Sequence, residues 1–209
     1  MSLVFPRFYA IMDAALLRTH RGGEMAFAEM LAQSGVTLIQ YRNKQASSRC
    51  LFESSRNLTS ALRGGGCRLI VNDRADIAAM VNAGGVHVGQ EDVPVELARQ
   101  ICGPDRWVGF STHTLEQVRA AAESSADYIA VGPIFATVTK ENPDPLVGLD
   151  FIREARGLTR KPLVAIGGIT LERAADVFRA GADSVAVARD LLVADDAGAR
   201  ARAYLDVTL

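Results

Sequence analysis

Phe8-Tyr-Ala-Ile-Met-Asp-Ala-Ala-Leu-Leu17 is the stretch on which the fold turns. An apolar run, Phe8–Met12, passes through one acid into a helix-favouring tetrad. An open doubly wound sheet would place a G-x-G-x-x-G phosphate fingerprint in the turn after its first strand. No such fingerprint stands here. Working outward, seven comparable runs follow: Thr37–Tyr41, Arg68–Val71, Gly85–Val88, Trp107–Phe110, Tyr128–Val131, Leu163–Ile166 and Ser184–Val187. Each is bounded by Gly, Asn, Asp or Ser, and each is dense in Val, Ile and Ala without strict polar alternation. That composition suits strands buried on both faces, as in a parallel sheet covered by helices. Helical spacing fills most of the intervals, as in Glu24–Ala32, Ala75–Val81, Val95–Ile101, Leu115–Ala122, Phe151–Ala155 and Leu171–Phe178. Thr114-Leu-Glu-Gln117 has the form of a capping box. Eight β/α units favour closure, so the expected fold is α/β, a single-domain (β/α)8 TIM barrel over residues 1–209.

Composition narrows the function classes. The 209 residues are 49% hydrophobic and 22% charged, and 23 Lys and Arg oppose 24 Asp and Glu. Such proportions argue against a disordered or collagen-like chain, and the balance of charge argues against nucleic-acid binding through bulk positive potential. Cys50, Cys67 and Cys102 stand far apart with no C-x-x-C pair, which disfavours a zinc site and suits a reducing cytoplasm. The early apolar stretch contains Asp13 and follows Pro6 and Arg7, so it reads poorly as a secretion signal and is too short to span a membrane. A cytoplasmic protein with no membrane partner is the expectation; the oligomeric state is left open.

In a barrel of this kind chemistry sits at the C-terminal strand ends and in the loops after them. Polar groups do collect there. Gln40, Arg42 and Lys44 follow the second run, Asn72 and Asp73 the third, Gln90 and Asp92 the fourth, and Ser111 and His113 the fifth. Thr137, Thr139 and Lys140 follow the sixth, Gly167-Gly168 the seventh and Ala188-Arg189 the eighth. Arg42, Lys44 and Lys140 are cations that need an anionic partner if they converge. Asp73 and Asp92 are hard oxygen donors with no His or Cys set beside them, which suits a Mg2+ ion that keeps waters and is completed by phosphate oxygens. The Gly-Gly turn precedes a helix opening at Thr170, a place where barrels hold phosphate on backbone N–H groups. Each feature also has a plainer reading: Asn72-Asp73 as a turn or cap, Asp92 as the cap of the next helix, Arg42 and Lys44 as a solvated strand end, His87 as a barrel-interior residue, and His113 as a hydrogen-bonded structural histidine. No G-x-S-x-G nucleophile elbow is present.

Six segments together resemble the thiamine phosphate synthase family: Gln40-Tyr-Arg-Asn-Lys44, Val71-Asn-Asp-Arg74, Val86-His-Val-Gly-Gln-Glu-Asp92, Gly109-Phe-Ser-Thr-His113, Val131-Gly-Pro-Ile-Phe-Ala-Thr-Val-Thr-Lys140 and Ala165-Ile-Gly-Gly-Ile169. The resemblance covers nearly the whole chain. It implies a TIM-barrel transferase joining 4-amino-2-methyl-5-(diphosphooxymethyl)pyrimidine to a thiazole phosphate, with thiamine phosphate and pyrophosphate as products. It further implies one Mg2+ per subunit, held by Asp73 and Asp92. Gln40, Tyr41, Arg42, Asn43, Lys44, Asn72, Ser111 and Lys140 match the pyrimidine diphosphate site, with Lys140, Ser111 and Arg42 as its implied catalytic residues. Thr137, Val138, Thr139, Gly167, Gly168, Ala188 and Arg189 match the thiazole phosphate site. Arg189 departs from the small residue usual in the family. Two other readings stay open on the same fold: a thiazole tautomerase, against which Asp92 and Pro133 speak, and a non-catalytic phosphate- or thiamine-binding barrel.

Overall fold

The computed structural model describes residues 5–18, 20, 22–137 and 144–207. Eight parallel strands close into one barrel in chain order, each paired with the next and the last with the first. The strands are β1 (Phe8–Asp13), β2 (Leu38–Arg42), β3 (Arg68–Asn72), β4 (Gly85–Val88), β5 (Trp107–Thr112), β6 (Tyr128–Val131), β7 (Leu163–Ile166) and β8 (Ser184–Val187). The helices are α1 (Ala14–Leu17), α2 (Gly23–Gln33), α3 (Ser48–Leu62), α4 (Ala75–Met80), α5 (Val95–Cys102), α6 (Leu115–Glu123), α7 (Gly148–Leu158), α8 (Leu171–Arg179), α9 (Arg189–Leu192) and α10 (Ala197–Leu205). The expected barrel is therefore the observed one. Four strands keep the bounds read from the sequence, and the others shift by one or two residues at an end.

Side-chain alternation divides the sheet between two cores. Outward positions such as Phe8, Ala10, Ile39, Val71, Val86, Ile129 and Val185 pack against the helices in the larger apolar cluster. Inward positions Tyr9, Ile11, Leu38, Ile70, Tyr128, Ala130, Val164 and Ala186 form a second cluster inside the barrel. Each Leu, Ile or Val taken fully out of water contributes about 1.5–3 kcal/mol, so the outer layer supplies most of the burial that closes the ring. At the N-terminal end Phe5 stacks on Trp107 with ring centroids 5.2 Å apart and lies 4.8 Å from the Tyr128 ring, while the Arg68 guanidinium sits 4.2 Å from the Trp107 centroid. That end is plugged by aromatic rings.

Local signals fix how the helices leave the strands. Thr114 Oγ1 accepts from the Gln117 N–H at 3.2 Å and the Gln117 side chain accepts back from the Thr114 N–H at 3.3 Å, so the anticipated capping box opens α6. Ser47 caps α3 through the Cys50 N–H at 3.2 Å. Neither acid tied to the plainer cap reading acts as one: α4 opens on Arg74 and α5 on Pro94, without side-chain cap bonds. All three cysteines are free thiols. Among the described residues no helix is long and apolar enough to cross a membrane.

Candidate active site

The same alternation that builds the inner core aims specific polar residues into the barrel mouth. On β2, Leu38 faces inward, so Gln40 and Arg42 do too; on β3, Ile70 faces inward and Asn72 follows it. Tyr41 and Asn43 occupy the opposite parity. The Tyr41 hydroxyl donates to Glu24 Oε1 of α2 at 2.7 Å and receives the Asn43 amide at 3.2 Å, so the structure sets this pair in the helix layer and not beside Gln40 and Arg42.

Parallel register brings Asp13 of β1 opposite Arg42 of β2, and their side chains form an ion pair. Asp13 is only 3% exposed, and its other oxygen accepts from the Ala15 and Leu16 N–H groups at 3.0 and 3.4 Å, which caps α1. A carboxylate so satisfied holds the guanidinium in place, leaving the remaining Arg42 donors to meet an anion. Asp13 was not among the residues read as functional. The signal was present, since Asp13 ends the first strand.

Asp73 sits at φ +63°, a left-handed conformation that few non-glycine residues adopt, and its N–H donates to the His87 carbonyl at 2.7 Å. This turn carries its carboxylate to Lys44, with which it forms an ion pair, and to within hydrogen-bonding reach of Asp92. Burial raises the Asp73 carboxyl above the usual carboxylate range, and the neighbouring Asp92 raises it further, against the pull of Lys44. Asp92 is itself held by the Gly89 N–H, which donates to Oδ2 at 2.7 Å. Two carboxylates from adjacent strand ends thus converge. Like charges so close favour a bound cation between them, and a pair of oxygen donors fits a hard divalent ion that keeps most of its water. Among the described residues no cluster of three or more His, Cys, Asp or Glu exists to hold a metal fully on protein ligands.

Below this rim runs a buried polar chain. Gln40 Nε2 donates to the Tyr9 hydroxyl at 2.8 Å, the Tyr9 and Tyr128 hydroxyls lie 3.0 Å apart, Tyr128 reaches His87 Nδ1 at 3.1 Å, and His87 Nε2 meets Ser111 Oγ at 2.8 Å. Burial pushes the His87 imidazole down to about 4, so the ring is neutral near pH 7 and too weak a base to activate Ser111 as a nucleophile. Ser111 is further fixed by the Gln90 amide, which donates to its carbonyl at 2.6 Å. His87 is an interior residue, as its place in a short apolar strand suggested. Its bond to Ser111, and both tyrosines, escaped the sequence reading. His113 takes the structural course: Nδ1 lies 2.6 Å from the Gly132 carbonyl oxygen and Nε2 3.4 Å from Asp144.

Across the mouth, Gly167 and Gly168 take φ +100° and +61°. A Cβ at Gly167 would come within 2.5 Å of Pro133 Cβ, and one at Gly168 within 2.8 Å of the Phe135 carbonyl oxygen, so only glycine fits this turn. The Phe135 N–H donates to the Gly167 carbonyl at 3.0 Å, tying the two loops together. Arg173, on the first turn of α8, donates to the Gly168 carbonyl at 2.8 Å and lies 4.6 Å from the Phe135 ring centroid, a cation at this turn that the sequence reading passed over. Ala188 packs on the inner core and Arg189 begins α9, exposed. Thr137 is half-buried at the end of the described segment; Val138, Thr139 and Lys140 lie outside the described residues.

Residues 8–191 match the family model described as thiamine monophosphate synthase. The chain is 50% identical to the thiamine-phosphate synthase of Koribacter versatilis, over 98% of this chain and 97% of that one. It is 46% identical to that of Chloroflexus aurantiacus, over 94% and 89% of the two chains. Among solved structures, the thiamine phosphate pyrophosphorylase of Pyrococcus furiosus superposes with a TM-score of 0.84 at 31% identity, over 95% of this chain and 93% of that one.

Proposed function

The chain belongs to the thiamine monophosphate synthase family, and from that premise we propose that its rim transfers the pyrimidylmethyl group of a pyrimidine methyl diphosphate to the ring nitrogen of a thiazole phosphate. The C–O bond to the diphosphate breaks, a C–N bond to the thiazole forms, and pyrophosphate leaves. The single observation that carries this reading is the convergence of Asp73 and Asp92 next to Lys44, with the anchored Arg42 on the same strand-end rim.

Asp73 and Asp92 would hold Mg2+, which supplies Lewis-acid neutralisation of the departing pyrophosphate. Arg42 and Lys44 bind the diphosphate oxygens, joined by Lys140. Charge grows on those oxygens as the bond breaks, so these cations stabilise the transition state more than the bound substrate. Gln40, Asn72 and Ser111 orient the pyrimidine ring, while the Gly167-Gly168 turn, Ala188-Arg189 and Thr137 to Thr139 hold the thiazole phosphate. The electron-rich aminopyrimidine bears the positive charge left at its methylene, so no protein nucleophile is required. The inert Ser111–His87 pair fits that economy. The protein's remaining work is to hold two substrates in contact and exclude water. The enzyme acts on small metabolites, with no nucleic-acid or membrane partner, in the cytoplasm.

Incubating the purified protein with both substrates and Mg2+ should release pyrophosphate and thiamine phosphate in equal amounts, and chelation should stop it. Interconversion of thiazole tautomers without pyrophosphate release would instead assign the isomerase activity.

A further inference from the structure

Two phenols and an imidazole inside a barrel core are costly to bury unless every polar atom finds a partner. Tyr9 is 1% exposed, Tyr128 fully buried and His87 7% exposed, yet none has an orphaned atom, because each is one link between Gln40 and Ser111. With the Gln40 amide as donor, the need of every buried hydrogen for an acceptor gives the chain a direction. Gln40 donates its amide N–H to Tyr9; a phenol has one hydrogen, so Tyr9 passes its own to Tyr128, and Tyr128 passes its own to His87 Nδ1. A neutral imidazole that accepts at Nδ1 carries its hydrogen at Nε2 and donates it to Ser111. Reversing either tyrosine alone would leave a buried hydroxyl hydrogen without an acceptor. Gly109 keeps the passage open: a Cβ there would overlap the Tyr128 ring and lie 2.5 Å from His87 Nδ1.

The direction has a consequence at both ends. Gln40, held on Tyr9 through one of its two amide N–H groups, keeps its amide oxygen as an acceptor; Ser111, supplied by His87, keeps its own hydroxyl hydrogen to donate. We infer that Tyr9, Tyr128 and His87 are positioning residues that lock the hydrogen-bonding polarity of Gln40 to that of Ser111, selecting a ring that offers a donor toward β2 and an acceptor toward β5. An aminopyrimidine offers this pairing through its amine hydrogens and ring nitrogens. Its 4-oxo counterpart sets a carbonyl oxygen where the Gln40 oxygen needs a donor and a ring N–H where the Ser111 hydrogen needs an acceptor, so both preferred bonds are lost, which is how buried polar sites reject near-isosteres. The selection rests on the proposed pyrimidine substrate; the direction of the chain does not.

Two readouts on the full-length protein separate them. Nitrogen-15 NMR of histidine-labelled protein, which has three histidines, reports the tautomer without substrate. His87 should carry its hydrogen on Nε2 in the wild type, and Tyr128→Phe should abolish that preference; an Nδ1–H ring in the wild type, or a tautomer indifferent to Tyr128→Phe, overturns the inference. Steady-state kinetics with the 4-amino and 4-oxo pyrimidine diphosphates then measures selectivity. The kcat/KM ratio should fall by about tenfold or more in both Tyr9→Phe and Tyr128→Phe, the first cutting the chain at Gln40 and the second at its middle. An unchanged ratio in soluble, folded variants overturns the role in selection. A wild type that turns over neither pyrimidine while its tautomer is as stated would fault the proposed function and leave the chain standing.

Discussion

The two ends of the barrel are made by the same eight strands with the same alternation, yet they are built in opposite ways. The N-terminal end is closed by Phe5, Trp107 and Tyr128, with the Arg68 cation laid on the Trp107 face. The C-terminal end sets Asp73 against Asp92, bends Asp73 into a left-handed turn and anchors Arg42 on a buried acid. One end spends its inward positions on packing. The other tolerates like-charge proximity and backbone strain, conditions that persist where they serve binding or catalysis.

This contrast can be broken from either side. The largest effect belongs to Asp92→Asn: turnover should fall by about a hundredfold or more, while the thermal midpoint holds or rises, because the change removes the like charge facing Asp73. A midpoint that drops steeply would mean the rim is built for stability after all. Next in size, Phe5→Ala should cost about 3 kcal/mol of unfolding free energy in urea while kcat per folded molecule stays near wild type. Gly109→Ala tests the boundary between the ends: overpacking against Tyr128 and His87 should cost about 1–3 kcal/mol and depress turnover together, since the same residues plug the core and reach Ser111. Smallest is Thr114→Ala in the helical layer, expected to remove about 1 kcal/mol through the lost cap with the rate unchanged.

How far the sequence speaks follows the same division. Strand identity depends on local composition, and runs such as Gly85–Val88 and Ser184–Val187 carry it whole. The helix α3 was not singled out from apolar spacing, because its buried face runs through Leu51, Ser55, Leu58, Thr59 and Leu62, where two hydroxyl residues hold core positions. At the site, strand-end residues such as Asn72, Asp73 and Asp92 were legible because the barrel rule says where to look. Asp13 with Arg42 was not: that pair exists only through the β1–β2 register. The chain from Tyr9 through Tyr128 to His87 was harder still, since it joins β1, β6 and β4 across the closed interior. Tyr41 shows the converse. It sits inside a matching motif, yet strand parity turns it toward α2.

On the proposed reading, the Asp73–Asp92 pair and the nearby cations form a metal-dependent diphosphate site. Isothermal titration with pyrophosphate, with and without Mg2+, tests it most directly. The wild type should bind at least about tenfold more tightly with Mg2+ present, and Asp92→Asn should lose that dependence. Pyrophosphate binding of equal strength with and without Mg2+ in the wild type, or a Mg2+ effect that survives in Asp92→Asn, would contradict it.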